Sequence, residues 1–348
     1  MTSITDAQAK IFGKLFGFSI SLNGLTSLTD PQAESLSRFG GKLTGKKLSL
    51  NGLTTLTDGQ AKSLAKFRGT LSLNGLKNLT DEQAKILGAY KGIVGNESKS
   101  GAPSTLFLNG LKSITDQQAD SLGKIDKLYL NGLTTISPQQ LKSLINNGYN
   151  LVGQRYQGLP DGSILSLNGL TTITDANSQI LTSSLSRATI SINGVKSVTD
   201  LQAECIGKMK LTPGGKLDLD GVTSLTDAQA ASISSIPGLS LDGLASISEA
   251  QAKSLGMLGG DYRSSSSNPD PLSLMNNPTF SLSINGVTSI TDAQAKNLAA
   301  GLTSLKLDGL ESLTEKQAKT LSQIRFIDVA YDFQGLVDKY QKEDKEKK

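Results

Sequence analysis

The chain has 348 residues, a net charge of +4, 19% charged residues, one cysteine and no histidine. So mild a charge balance implies neither nucleic acid nor an anionic membrane as a partner. A lone cysteine excludes an intrachain disulfide framework, and the lack of histidine removes the usual general base and the commonest metal ligand.

In chain order, the first segment, Met1-Thr2-Ser3-Ile4-Thr5-Asp6-Ala7-Gln8, lacks the basic start and apolar stretch of a signal peptide. Together with the absence of any apolar run near the roughly 18 residues of a membrane span, this makes the cytoplasm the expected location. Secretion without a leader would leave the same sequence. Residues 5–16 read as a helix with no strand before it, more apolar than later helices through Ile11, Phe12, Leu15 and Phe16. Residues 1–20 are therefore expected to form an N-terminal capping helix. The alternative is that this helix completes the last strand of another copy, giving head-to-tail self-association.

From residue 20 to residue 330 one unit recurs eleven times, as in Leu48-Ser49-Leu50-Asn51-Gly52-Leu53-Thr54-Thr55-Leu56-Thr57-Asp58-Gly59-Gln60-Ala61. The Asn-Gly or Asp-Gly pair starts at Asn23, Asn51, Asn74, Asn109, Asn131, Asn168, Asn193, Asp220, Asp242, Asn285 and Asp308, and the shortest steps set the period at 22–23 residues. L-x-L reads as a strand with both leucines on one face and the middle residue on the other. Asn-Gly reads as a turn in which both residues tolerate positive φ. Thr57-x-x-Gln60 and its equivalents fit a capping box, in which the threonine caps a backbone N–H and the glutamine reaches back. A short helix with a narrow Ala/Leu stripe follows. One unit cannot bury its own leucines, so the units must stack into a solenoid.

An L-x-L strand, a fixed turn and a helix at this period resemble a leucine-rich repeat, over roughly residues 4–330 and closer to irregular bacterial forms than to the common one. The resemblance implies an α/β solenoid, a horseshoe with a parallel concave sheet and short convex helices, used mostly for protein recognition and scaffolding. The common form carries Asn three positions after the second Leu of L-x-L. Here that position holds Leu53, Leu76 or Val195, and Asn or Asp comes two positions earlier. That displacement tells against the family's buried asparagine ladder.

Three stretches break the period, at 90–104, 146–163 and 259–279, all between a helix and the next strand, so they are expected on one edge. The second carries Tyr149, Arg155 and Tyr156. The third holds Ser264-Ser265-Ser266-Ser267-Asn268-Pro269-Asp270-Pro271 and reads as flexible. Insertions of this kind either form a binding face or are tolerated surface additions. Residues 331–348 read as a C-terminal cap over 333–340 and a solvated charged tail.

The middle residue of L-x-L is usually serine, a bland surface, but Phe107 and Tyr129 break that rule in adjacent units. With Tyr149, Arg155 and Tyr156 they are the candidate partner-binding residues, since exposed aromatics on a rigid sheet act as binding anchors. The competing expectation is that an insertion covers the two rings. Asp218, Asp220 and Asp242 read as a solvated acidic patch suited to a basic partner rather than as a Ca²⁺ site, for want of a wrapping loop. The sequence Gly40-Gly41-Lys42-Leu43-Thr44-Gly45-Lys46-Lys47 nearly matches a phosphate-binding loop, but it lacks the final Ser or Thr and runs from helix to strand. Asn96-Glu97-Ser98 is a chance match to a glycosylation acceptor. No pair of residues forms a catalytic constellation, and no cofactor or metal is called for. The expected function is a non-enzymatic scaffold for another protein. The alternatives are a self-assembling structural subunit and a leaderless secreted effector that recognises a host protein.

Overall fold

The computed structural model describes residues 2–41, 43, 45–90, 104–146, 162–182, 185–186, 188–211, 214–258 and 280–346. The predicted insertions, and with them Tyr149, Arg155 and Tyr156, fall almost wholly outside the described residues. The chain divides into two compact units, Met1–Leu170 and Thr171–Lys348.

The first unit alternates helix and strand: α1 (Asp6–Lys14), β1 (Ser19–Ser21), α2 (Asp30–Leu36), β2 (Lys47–Ser49), α3 (Asp58–Leu64), β3 (Thr70–Ser72), α4 (Asp81–Gly88), β4 (Thr105–Phe107), α5 (Asp116–Leu122), β5 (Lys127–Tyr129), α6 (Pro138–Asn146) and β6 (Ile164–Ser166). Its strands pair in parallel and in chain order, with Leu48, Leu71, Leu106, Leu128 and Leu165 in register. The second unit holds α7 (Asp175–Leu181), β7 (Leu185–Ser186), β8 (Thr189–Ser191), α8 (Asp200–Gly207), β9 (Lys210–Leu211), β10 (Lys216–Asp218), α9 (Asp227–Ile233), β11 (Gly238–Ser240), α10 (Glu249–Leu255), β12 (Ser281–Ser283), α11 (Asp292–Ala299), β13 (Ser304–Leu307), α12 (Glu315–Leu321), β14 (Phe326–Val329) and α13 (Tyr331–Glu346). There β8, β10, β11, β12, β13 and β14 pair in parallel, while β7 and β9 form a separate parallel pair.

Each repeat buries the same set of side chains. Leu48, Leu50, Leu53, Ala61 and Leu64 are all but inaccessible, as are Leu71, Leu73, Leu76, Ala84 and Leu87. Two polar devices join one repeat to the next. The first uses the capping box. Thr80 Oγ1 accepts from Gln83 N, Gln83 Oε1 accepts from Thr80 N, and Gln83 Nε2 donates to Leu56 O of the preceding repeat at 2.8 Å. Gln60, Gln118, Gln202 and Gln317 donate in the same way to Leu28, Leu79, Ile173 and Ile290. A glutamate would cap the helix equally well, but it has no N–H to donate across.

The second device is an asparagine ladder, against expectation. Asn23 Oδ1 accepts from Asn51 N, Asn51 Oδ1 from Asn74 N, and Asn74 Oδ1 from Asn109 N, at 2.9–3.0 Å. Asp242 Oδ1 and Asn285 Oδ1 repeat the bond to the next unit. Moving the residue two positions toward the strand keeps the ladder and leaves it half-buried at the turn rather than in the core.

The glycine after each Asn or Asp also needs a corrected reason. The positive-φ glycines among the described residues are Gly40, Gly41, Gly45, Gly162 and Gly214, none of them in a repeat turn. Close stacking is what requires glycine there: a Cβ on Gly75 would lie 2.1 Å from Asn51 O, and one on Gly132 would lie 2.2 Å from Asn109 O.

Helix α1 buries Ala9 and leaves Ile11 exposed, and Leu15, Phe16 and Phe18 just after it are exposed too. It stops at Lys14 because Leu15 turns extended. At the other end α13 runs well past the short segment expected at 333–340. It buries Val337, and it is tied back by Gln341 Nε2 donating to Ile324 O and Gln334 Oε1 accepting from Val329 N.

Candidate functional site

The open face of the first unit's sheet is built from the middle residues of the strands and the ladder beside them. Ser49 and Ser72 are nearly covered rather than forming a bland exposed surface. Ser72 Oγ donates to Asn51 Oδ1 at 2.8 Å and accepts from Asn74 Nδ2 at 3.2 Å. Ser49 does the same between Asn23 and Asn51, and Ser166 Oγ donates to Asn131 Oδ1.

The parallel register pairs Phe107 of β4 with Tyr129 of β5. Their ring centroids lie 4.1 Å apart with planes 15° from parallel. Both rings are half-buried, so they remain partly open. Burial pushes the Tyr129 hydroxyl above its ordinary range. Because neither ring has a hydroxyl beside the ladder, the local bonding changes. Asn74 Oδ1 and Asn109 Oδ1 each accept only a backbone N–H, from Asn109 and Asn131. The side-chain N–H groups of Asn109 and Asn131 have no partner among the described residues. The first unit thus carries an aromatic pair flanked by unsaturated amides. A groove of about 380 Å³ lies on one side of it, lined by Ser21, Asn23, Lys47, Asn51, Asn74, Phe107 and Asn109 among others. Sequence reasoning missed the asparagines. The signal was available: wherever serine gives way to an aromatic ring in the strand, the neighbouring asparagine loses a partner.

The second unit's face is acidic, but its carboxylates are not merely solvated. Asp220 accepts from Asn193 Nδ2 and Asp242 N. Asp242 accepts from Ser283 Oγ, Asn285 N and Asn285 Nδ2. Asp218 lies 2.8 Å from Lys216 Nζ; burial raises its pKa and Lys216 opposes that rise. Asp220 and Asp242 are thus ladder members engaged with their neighbours, while Asp218 sits in strand β10 beside Lys216.

Two other sequence features resolve structurally. Lys46, at the lysine position of the near-match to a phosphate loop, is buried and donates to Phe39 O and Gly41 O at 2.6 and 2.7 Å, with its ammonium 5.0 Å from the Phe67 ring centre. Its protons are spent on the chain itself. Cys205 is a buried free thiol. Among the described residues no three His, Cys, Asp or Glu are grouped to hold a metal, and no helix is long and apolar enough to cross a membrane.

Within each unit, parallel strands, a helix after each turn, L-x-L cores and an Asn/Asp ladder make a leucine-rich-repeat-like fold. No family model and no curated protein matches the chain. Among solved structures, an internalin from Listeria monocytogenes is 16% identical with a TM-score of 0.39, over 87% of this chain and 76% of that one. The Rad7 and Elc1 complex of yeast gives a chain 16% identical with a TM-score of 0.41, over 94% of this chain and 79% of that one. Both values are low, so the fold rests on the chain's own register and repeat.

Proposed function

We propose that this chain is a non-enzymatic scaffold that binds another protein through the open sheet face of its first unit, with Phe107 and Tyr129 as the anchors. The supporting observation is the stacked, half-open aromatic pair on a face whose other residues are mainly Ser and Asn. Aromatic side chains at the centre of a rigid surface carry a large share of binding energy. Replacing both with serine is expected to weaken partner capture about a hundredfold, since each lost anchor is worth about 1.4 kcal/mol, a factor of ten apiece. The solenoid itself should stay folded, because neither ring is core. Unchanged capture would sink the proposal.

Self-association is the second reading, favoured by the exposure of Ile11, Leu15, Phe16 and Phe18 around α1 and the edge strand β1. Exposed apolar patches and open sheet edges both invite partners. Light scattering across a wide concentration range decides it. A mass that rises with concentration, and stays constant in Phe16→Ser with Phe18→Ser, supports assembly; a constant monomer removes it.

A further inference from the structure

We propose that the groove beside Phe107 binds a neutral oligosaccharide, a use of this face that needs no protein partner. One face of the Phe107 ring is covered by Tyr129 at 4.1 Å. The opposite side borders β3, and Phe107, not Tyr129, lines the groove. An aromatic face with partial negative charge suits the C–H-bearing face of a pyranose ring.

The rest of the lining suits hydroxyl groups. A sugar hydroxyl donates and accepts at once, and so does an asparagine amide. Asn109 offers a side-chain NH₂ without a partner among the described residues, and Asn74 Oδ1 has one lone pair free after accepting from Asn109 N. Ser21 is exposed at the far end, and Lys47 is the sole charged residue of the lining. With no carboxylate present, the site is neither a cation site nor one for a basic peptide. Its backbone groups are paired between strands, so recognition must come from side-chain amides and one ring. A volume of about 380 Å³ lies in the ordinary range for small-ligand sites.

The test uses the purified full chain, titrated by calorimetry with maltohexaose, cellohexaose, xylohexaose and chitohexaose. At least one should bind. Phe107→Ser should lower its affinity about tenfold or more, and Asn109→Ala should lower it less. Phe107→Leu keeps apolar bulk but removes the ring, and should fall with the serine variant. If none of the four binds at about 10 mM, or if binding survives in Phe107→Ser, the proposal is overturned. Because no protein partner is in the cell, that result leaves the scaffold reading to stand or fall by its own test.

Discussion

Gln83→Glu is expected to destabilise the first unit by on the order of 3 kcal/mol at neutral pH, whereas Gln8→Glu should change stability by less than about 0.5 kcal/mol. Both glutamines close a capping box, Gln8 with Thr5 and Gln83 with Thr80. A glutamate performs that role as well as a glutamine. The difference lies in the second bond. Gln83 Nε2 donates to Leu56 O at 2.8 Å in a buried site, while Gln8 is exposed and makes only the cap. Glutamate at 83 would set a carboxylate oxygen against a carbonyl oxygen, with neither able to donate. Leaving a buried acceptor unsatisfied costs about 1–3 kcal/mol, and burying charge adds to it. The introduced group would have a folded-state pKa raised above the ordinary value of about 4.3. The loss should therefore be full above that raised pKa and shrink as pH falls through it, because the protonated acid can donate to Leu56 O. Urea unfolding at neutral pH and below about pH 4 measures both parts. Equal effects at positions 8 and 83 would show that the cross-repeat bond contributes nothing.

The second large effect is steric. Gly75→Ala would place Cβ 2.1 Å from Asn51 O and 2.4 Å from Leu53 O, both backbone atoms of the previous turn. Relief requires the turns to separate, which breaks the Asn51-to-Asn74 ladder bond and opens the leucine stack beneath it. A loss of about 3 kcal/mol is expected, the upper end of ordinary overpacking, because backbone cannot yield as a side chain would. Gly335→Ala should have the opposite sign. Gly335 lies within α13 with nothing near the added carbon, so the gain in helix propensity should stabilise by about 1 kcal/mol. Thermal unfolding of the two variants side by side reads both signs. A stable Gly75→Ala would mean that the turns are not in the close contact described.

Much of the fold was legible because each local signal has a single physical meaning. Thr57-x-x-Gln60 announces a helix start, and L-x-L announces a strand with one buried face. A repeat that cannot bury its own leucines must stack. What was misread involved contacts between repeats. Asn-Gly has a familiar reading as a positive-φ turn, and nothing within one unit reveals that Gly75 is needed for the carbonyl of Asn51, 24 residues earlier. The ladder was discounted because its asparagine sits two positions away from the family's usual place, yet a side chain at the turn reaches the next turn's N–H just as well. The role of Gln83 toward Leu56 O was invisible for the same reason. The site was partly legible: Phe107 and Tyr129 stood out against serine, and the parallel register brings them together. Tyr149, Arg155 and Tyr156 lie outside the described residues. The long C-terminal helix was under-read because its charged residues suggest a solvated tail, whereas Val337 and Gln341 tie its inner face to the last repeat.

The most direct measurement of the central claim is the affinity of a captured protein partner for the wild type and for Phe107→Ser with Tyr129→Ser, with Ser283→Ala in the second unit as the control. The account predicts a drop of about a hundredfold for the double variant and none for the control. Equal affinity for all three proteins would contradict it and move the binding surface away from the open face of the first unit.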